Sequence, residues 1–373
     1  MIHRNCSRRQ FIKLTAALAA GSLCRPLMSM AAVPLLESRA IWDEGLNWVT
    51  KASAVRLLDR IKRAGFNVFV PNVWHGSGTV WPSSLAPWDT RNVRVPGFDP
   101  LENLVMLAEG YNIEIHPWFT VNLRQRDFLH QYYESGTPEQ AFDIHNVHFR
   151  EFISSLIAEV VLRYPVQGVS LDFLLSMGLC RGSSCIDDYY EKTGRKLLTD
   201  WNLRKLPGYG VEYLIAWQQE AITDIVRFIS TKARRMRSDI VISASSTVPA
   251  TINLKLQGEN SAKCTDIGMI DVLYNMDYRS DIDSAAIRTL QTTMKRPQAV
   301  TMLCGNYDVT SAGVVARSGA KVAQILTEAR TINSGNGVGL YIYSRLSDEQ
   351  IQTLQSTVFK IPATPKWTRA NVI

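Results

Sequence analysis

Eight short β-type runs separated by helical patterns constrain this chain more than any other feature. They fall at Arg39–Trp42, Asn67–Val73, Ile113–Phe119, Gly168–Phe173, Ile240–Ser245, Asp271–Met276, Ala299–Leu303 and Val338–Tyr343. Between them, Ala54, Leu57, Leu58, Ile61 and Ala64 recur at helical spacing. So do Phe152, Leu156, Val160 and Val161, and then Leu214, Trp217, Ala221, Ile225 and Ile229. Further helices are expected within Ser284–Met294, Gly319–Ile332 and Ser347–Val358; only Ser246–Ile270 lacks a convincing long helix. Such alternation predicts an α/β chain with parallel strands covered by helices, and eight repeats suit a (β/α)8 TIM barrel. A doubly wound open sheet competes with it, but no glycine-rich phosphate turn follows the first strand. The barrel is expected over residues 39–358 as one domain, with long loops after strands two and four and a tail over 359–373.

The fourth run is the most informative. Pro165–Phe173 reads P-V-Q-G-V-S-L-D-F. Val169, Leu171 and Phe173 share one face, which suits contact with covering helices; Gly168, Ser170 and Asp172 share the other. Asp172 is thereby placed at the C-terminal end of a barrel strand, where such barrels carry their chemistry. The competing explanation is an aspartate that caps the following loop.

The first residues read as an address. Ser7-Arg8-Arg9-Gln10-Phe11-Ile12-Lys13 is a twin-arginine pattern, followed by an apolar run from Leu14 to Leu23 and a small-x-small site at Ser29-Met30-Ala31. A signal peptide over residues 1–31 is expected, with the twin-arginine translocase as export partner and a periplasmic or secreted destination. The apolar run is too short to span a bilayer, so no stable membrane anchor is expected. The formal charge of +7 includes Arg4, Arg8, Arg9, Lys13 and Arg25, and no acid occurs in that stretch. Without it, 36 basic side chains face 34 acidic ones, about +2. The basic balance thus belongs mostly to the signal, and no nucleic-acid partner is implied.

Two long insertions would cover the C-terminal mouth of a barrel. Trp74–Asp99 holds Trp74, Trp81 and Trp88; Ser176–Tyr209 holds Trp201 with Cys180 and Cys185. Aromatic faces in a wet cleft suit sugar rings, although each tryptophan could instead pin its loop to the body. In an oxidising compartment Cys180 and Cys185 could close a disulfide, or remain thiols. No C-x-x-C or H-x-x-x-H partners the pair, so neither a metal nor a cofactor is expected. His145 and His148 bracket Asn146, a helix N-cap by position, and are taken as structural.

These pieces resemble, in order, the glycosyl-hydrolase-like family 10 proteins. Arg39-Ala40-Ile41-Trp42 resembles the family's first strand, and Ala64-Gly65-Phe66-Asn67 its entry to the second. Trp81-Pro82-Ser83-Ser84-Leu85-Ala86-Pro87-Trp88 is similar to its Y-P-S-S-x-x-P-W loop. Gly97-Phe98-Asp99-Pro100-Leu101 precedes the second helix, and Glu114-Ile115-His116-Pro117-Trp118-Phe119 resembles its L-H-A-W-F strand. Arg163–Phe173 resembles R-Y-x-V-D-G-I-H-L-D-Y. The resemblance spans about residues 39 to 345. It departs at Ser170, where the family has histidine, and at Leu174-Leu175-Ser176, where the family continues Ile-Arg-Tyr-Pro. The resemblance implies an exported barrel that cleaves or binds a polysaccharide.

Glycoside hydrolysis needs two carboxyl groups flanking the scissile bond. Asp172 on strand four is expected as nucleophile or stabilising carboxylate. On strand six Asp271, Leu273, Asn275 and Asp277 share a face; Asp271 falls at the bottom, and Asp277 at the mouth is expected as general acid/base. Aspartates on strands four and six are also the arrangement of α-galactosidase-like barrels, to which this group is distantly similar. Asp43, Glu44 and Asp308 stand at other strand ends as replacements for Asp277. Asn72, Trp74, Trp88, His116, Trp118, Asn275, Tyr278 and Tyr343 are expected to bind a polysaccharide or oligosaccharide substrate. His116 could equally be a satisfied core histidine. Ser83, Ser245 and Ser246 lack a G-x-S-x-G elbow, which argues against a serine hydrolase. The altered strand-four motif motivates a second expectation, a carbohydrate-binding barrel without catalysis.

Overall fold

Eight parallel strands pair edge to edge and return to the first. They are β1 (Ser38–Asp43), β2 (Val68–Trp74), β3 (Glu114–Ile115 and Trp118–Thr120) and β4 (Gly168–Asp172), then β5 (Val241–Ser246), β6 (Val272–Asp277), β7 (Val300–Gly305) and β8 (Gly337–Tyr341). β8 pairs with β1, and β1 with β2, which closes the barrel. The structure, a computed structural model, describes residues 35–366 apart from Thr90, Val93 and residues 333–336. The signal segment expected over residues 1–31 lies outside the described residues. No helix among the described residues is long and apolar enough to cross a membrane.

The helices that cover the barrel are α1 (Lys51–Ala64), α2 (Pro100–Tyr111), α3 (Val147–Arg163), α4 (Glu212–Met236), α5 (Ser261–Asp266), α6 (Ser284–Thr293), α7 (Gly319–Ile332) and α8 (Asp348–Ser356); the insertion after β4 adds the helices Ser183–Thr193 and Leu197–Leu203. Their ends follow local chemistry. Thr50 and Ser53 form a reciprocal capping box at α1, and Gly65 closes that helix at φ 92°. Asn146 caps α3, accepting from the His148 and Phe149 amides. His145 stacks on Trp217 with ring centroids 3.6 Å apart and bonds Gln218, so its role is packing. The stretch without helical periodicity holds only α5 and the four-residue helix Ile252–Lys255.

Two apolar layers result. Ile41, Phe69, Phe119, Val169, Leu171, Ile242 and Leu273 face outward and pack with the helices. Ala40, Trp42, Val68, Val70, Trp118, Val241, Val272, Tyr274 and Leu303 fill the barrel interior. Large rings fit there only because glycines stand opposite them. A Cβ on Gly339 would lie 2.8 Å from the Trp42 ring, and one on Gly168 would lie 2.6 Å from His116 Nδ1. Gly168→Ala should therefore cost about 1–3 kcal/mol through overpacking. Denaturant midpoints check this, and adding His116→Ala should recover part of the loss; a midpoint unmoved in Gly168→Ala would refute the contact.

The first part of the tail is built into the barrel floor. Phe359 packs edge-on against Phe66, and Ala363–Thr364 pairs with Leu35–Leu36.

Candidate active site

A cavity of about 370 Å³ opens at the C-terminal ends of the strands. Trp118 from β3, Tyr278 just past β6 and Tyr341 from β8 form an aromatic wall; Tyr278 and Tyr341 stack with centroids 5.0 Å apart. Three carboxyl groups line it: Asp172 at the end of β4, Glu44 just past β1, and Glu259 from the loop before α5. His75, Phe173, Ser245 and Ser246 also line it. Two further clefts share its residues. One reaches from Glu44 over Leu46, Val49, Arg91 and Phe98. The other reaches from His75 and Phe173 past Arg124, Arg126, Asp127 and Glu139. Glu44 thus borders both the cavity and the first cleft, and His75 and Phe173 border both the cavity and the second.

Asp172 is placed by the inward face of β4, as its parity predicts. Burial pushes its carboxyl up to about 7, and the nearby Glu259 and Glu44 charges push the same way. The Phe173 amide, 2.7 Å from Oδ1, and the Trp118 indole act oppositely without winning. The indole N–H closes no full hydrogen bond in the geometry seen. Phe173 does not continue the strand. Its φ of 51° is left-handed, uncommon for an aromatic residue, and the ring lines the cavity instead of joining the helical layer.

Glu259 is buried, and burial raises its carboxyl pKa against a 2.8 Å hydrogen bond from the Ser261 amide. Glu44 faces solvent and accepts a hydrogen bond from Tyr341 Oη. His75 is pushed down to about 4, first by burial and then by Arg91, so its imidazole is neutral near pH 7. The Asn72 amide nitrogen lies 3.3 Å from His75 Nδ1. With Asn72 donating, the ring proton sits on Nε2.

Asp277 does not reach this cavity. On β6 the interior face is Val272, Tyr274 and Met276, so Leu273, Asn275 and Asp277 face the helical shell. Its carboxylate takes 2.8 and 2.7 Å bonds from Arg279 and a 2.9 Å bond from the Asp283 amide. Burial raises its pKa, but these partners outweigh it and hold the group below the ordinary value. A charged, paired carboxylate on the outer face is no proton donor to the cavity.

The same parity turns Asn275 outward, where it accepts from the Val248 amide at 2.8 Å and pins the loop after β5. Trp74 is displaced by a register shift between Asn72 and Trp74. Such an irregularity re-aims the side chain, and Trp74 packs into the shell with Phe128, Phe142 and Phe152. Asn72 is fully buried behind His75. His116 lies toward the N-terminal end, against Gly168 and bonded to Glu114 at 3.1 Å, which makes it a core histidine. Tyr343 packs against the outer layer, and Tyr341, two residues earlier, takes the expected place.

Trp88 is half-buried in its loop, with its indole donating to the Asn92 carbonyl at 3.3 Å. Trp81 and Ser83 anchor their loop on Glu159 of α3, at 3.0 and 2.6 Å. Of the ten expected site residues, Asp172, Trp118 and Tyr278 line the cavity. Among the replacements, Asp43 is held by its own turn through Asn47 and Gly45, and Asp308 pairs with Arg317. Glu44 is the one that reaches the cavity. Glu259 carried no motif or periodicity, only its presence in the stretch without a long helix.

The sequence model of the Glycosyl hydrolase-like 10 family matches residues 37–316. The chain belongs to that family. Among curated relatives, this family member is 26% identical over 150 residues to the glycosyl hydrolase DigH of Escherichia coli strain K12, covering 33% of this chain and 34% of that one. The glycosyl hydrolase YngK of Bacillus subtilis strain 168 is 25% identical over 175 residues, 36% of this chain and 32% of that one. The matched part spans about a third of either relative. In fold, the barrel is similar to the PgaB (BpsB) glycoside hydrolase domain from Bordetella bronchiseptica. That match has a TM-score of 0.62 at 11% identity and covers 88% of this chain and 99% of that one. The catalytic domain of a β-amylase from Paenibacillus polymyxa gives 0.58 at 10% identity, covering 89% and 100%. This glycosyl hydrolase-like 10 protein therefore shares the TIM-barrel fold of glycoside hydrolases and carries a carboxyl-lined cavity at the C-terminal ends of the barrel strands.

Proposed function

We propose that this protein hydrolyses glycosidic bonds within an extended glycan, with Asp172 as proton donor and Glu44 as the opposing carboxylate. The observation that carries the proposal is the Asp172 carboxyl, poised near pH 7 inside an aromatic-walled cavity at the C-terminal ends of the strands. A general acid works best with a pKa near the operating pH, because it must both hold a proton and release it. This assigns Asp172 the acid's role in place of the nucleophile's. The proton passes to the leaving oxygen as the bond to the anomeric carbon breaks, and positive charge builds on the sugar ring. Glu44, held by Tyr341 Oη, stabilises that charge until a water adds to the anomeric carbon and gives up its proton to a carboxylate of the site. Trp118 and the Tyr278–Tyr341 stack offer ring faces to the sugar's C–H bonds. Two clefts bordering the cavity favour a polymer over a short sugar.

The family's name and those of DigH and YngK support a glycosyl hydrolase. The twin-arginine segment supports export, and with it an envelope or extracellular polysaccharide as substrate.

The test is release of new reducing ends from a panel of envelope and extracellular polysaccharides. Glu259→Gln refines it. Removing a negative neighbour lowers the Asp172 pKa, so the alkaline limb of the pH–rate profile should move down by up to about one pH unit. The rate at its optimum should stay within about tenfold. Glycan bound without any cleavage would defeat the hydrolase reading, and an unshifted limb would remove Asp172 as the titrating acid.

A further inference from the structure

Away from the cavity, two cysteines and two carboxylates converge where the loop after β3 meets the loop after β4. Glu134, Asp143, Cys180 and Cys185 each place one donor atom within 4.8 Å of all the others. We propose that these four residues bind a zinc-class divalent cation that fastens the two loops together. The inference stands apart from the glycosidase reading and uses none of its residues.

The four donor atoms lie near enough together for one ion to draw them into a closed tetrahedral site. Metal–sulfur bonds of about 2.3 Å and metal–oxygen bonds of about 2.0–2.2 Å set ligand atoms roughly 3.3–3.8 Å apart. Cys185 Sγ already lies 3.5 and 3.4 Å from the two Asp143 oxygens. Both cysteines are free and buried, and C-x4-C is a zinc-site spacing. The fold supplies two carboxylates, Glu134 and Asp143, as the remaining ligands. Thiolates disfavour calcium and magnesium, which prefer all-oxygen shells. Four protein ligands leave no open position, so the site is structural.

A second layer holds the ligands in place. Asp143 Oδ1 accepts from the His145 amide at 2.9 Å, and Glu134 accepts from the Ser184 amide at 3.1 Å. Thr137 Oγ1 lies 3.7 Å from Cys180 Sγ. Glu134 reaches the cluster because residue 182 is glycine: a Cβ there would stand 2.0 Å from Glu134 Oε1. The loops also join through the Arg181 amide and the Gly136 carbonyl at 2.8 Å. The bound cation would set the spacing between Arg124 on one loop and Phe173 and Met177 on the other, which line one of the clefts beside the cavity.

Metal analysis of the full chain, purified without chelator and equilibrated with zinc, tests the site. About one zinc per chain should survive gel filtration. Cys180→Ser should weaken zinc binding by roughly a hundredfold or more, since even outer-sphere changes cost 10–100-fold. Cys264→Ala, a buried thiol outside the cluster, should retain the zinc. If Cys180→Ser does not fold, cobalt(II) loaded into the unaltered chain gives the answer through a thiolate-to-cobalt charge-transfer band. A native mass lighter by the two hydrogens of a Cys180–Cys185 disulfide would overturn the proposal. So would free thiols with no retained zinc, zinc retained equally by Cys180→Ser, or a cobalt spectrum lacking the thiolate band.

Discussion

Asp172→Asn should lower glycan cleavage by roughly 10²–10⁴-fold, the span usual for loss of a general acid, while the barrel stays folded. The same substitution should stabilise the protein at neutral and alkaline pH. Asp172 titrates near 3.8 when unfolded and about 7 in the cavity, so the native state holds the proton more tightly. Stability contributed by that proton is fully present below about pH 4 and is lost as pH rises through 7. The total is roughly 4 kcal/mol. Asparagine carries no charge to desolvate, so the variant's advantage should be absent near pH 4, grow through neutrality and level off above pH 7. Denaturant midpoints across that range, measured beside reducing-end release, check both halves. Parallel stability curves for the two proteins would show that the cavity does not perturb Asp172. A gain in stability on removing a functional group is expected where a site holds a strained or desolvated charge.

At the opposite end of the barrel, Glu37→Ala should cost about 3–5 kcal/mol of stability with little effect on cleavage per folded molecule. Glu37 and Arg39 are each 1% exposed and form a 2.7 Å ion pair beneath the strands. Arg330 reaches the other Glu37 oxygen at 2.5 Å. Arg39 also donates to the Ile361 carbonyl at 2.9 Å and lies over the Phe359 ring, which ties the chain's end to β1. Without Glu37, Arg330 can turn to water but Arg39 is left as a buried, unpaired cation. Replacing both partners by apolar residues, Glu37→Leu with Arg39→Met, should cost less than the single change, because no charge is stranded. Denaturant midpoints for the three proteins test this. A single variant less than 1 kcal/mol from the parent, or a double variant worse than the single, would reject it.

Both effects follow from burying charge, with opposite outcomes. At the floor a carboxylate is matched by two guanidinium groups and holds the tail in place. At the mouth Asp172 is buried without a cation beside it and with two other carboxyl groups nearby, so its proton is retained near neutral pH. A barrel can keep the second arrangement because the first lies at the other end of the strands, where nothing needs to move or react.

The sequence by itself determined the barrel. Eight β-type runs recur with helical stripes between most of them, and each is a local consequence of backbone geometry. It also placed Asp172, because Gly168 and Ser170 mark an inward face against Val169 and Leu171. On β6 the same reasoning failed. Val272, Tyr274 and Met276 alternate with Leu273 and Asn275, so both faces carry apolar residues and periodicity alone does not identify the inward one. A parallel strand buried on both sides gives this ambiguity, and a one-residue difference in orientation sends Asp277 to the shell. On β2 a register shift did the same to Trp74. Glu259, and the meeting of Glu134 and Asp143 with Cys180 and Cys185, were decided only by tertiary structure. Glu134, Asp143, Cys180 and Glu259 lie on loops, and Cys185 in the first turn of the inserted helix Ser183–Thr193; the course of such insertions is set by what they pack against, and no local period records which distant side chains they bring together.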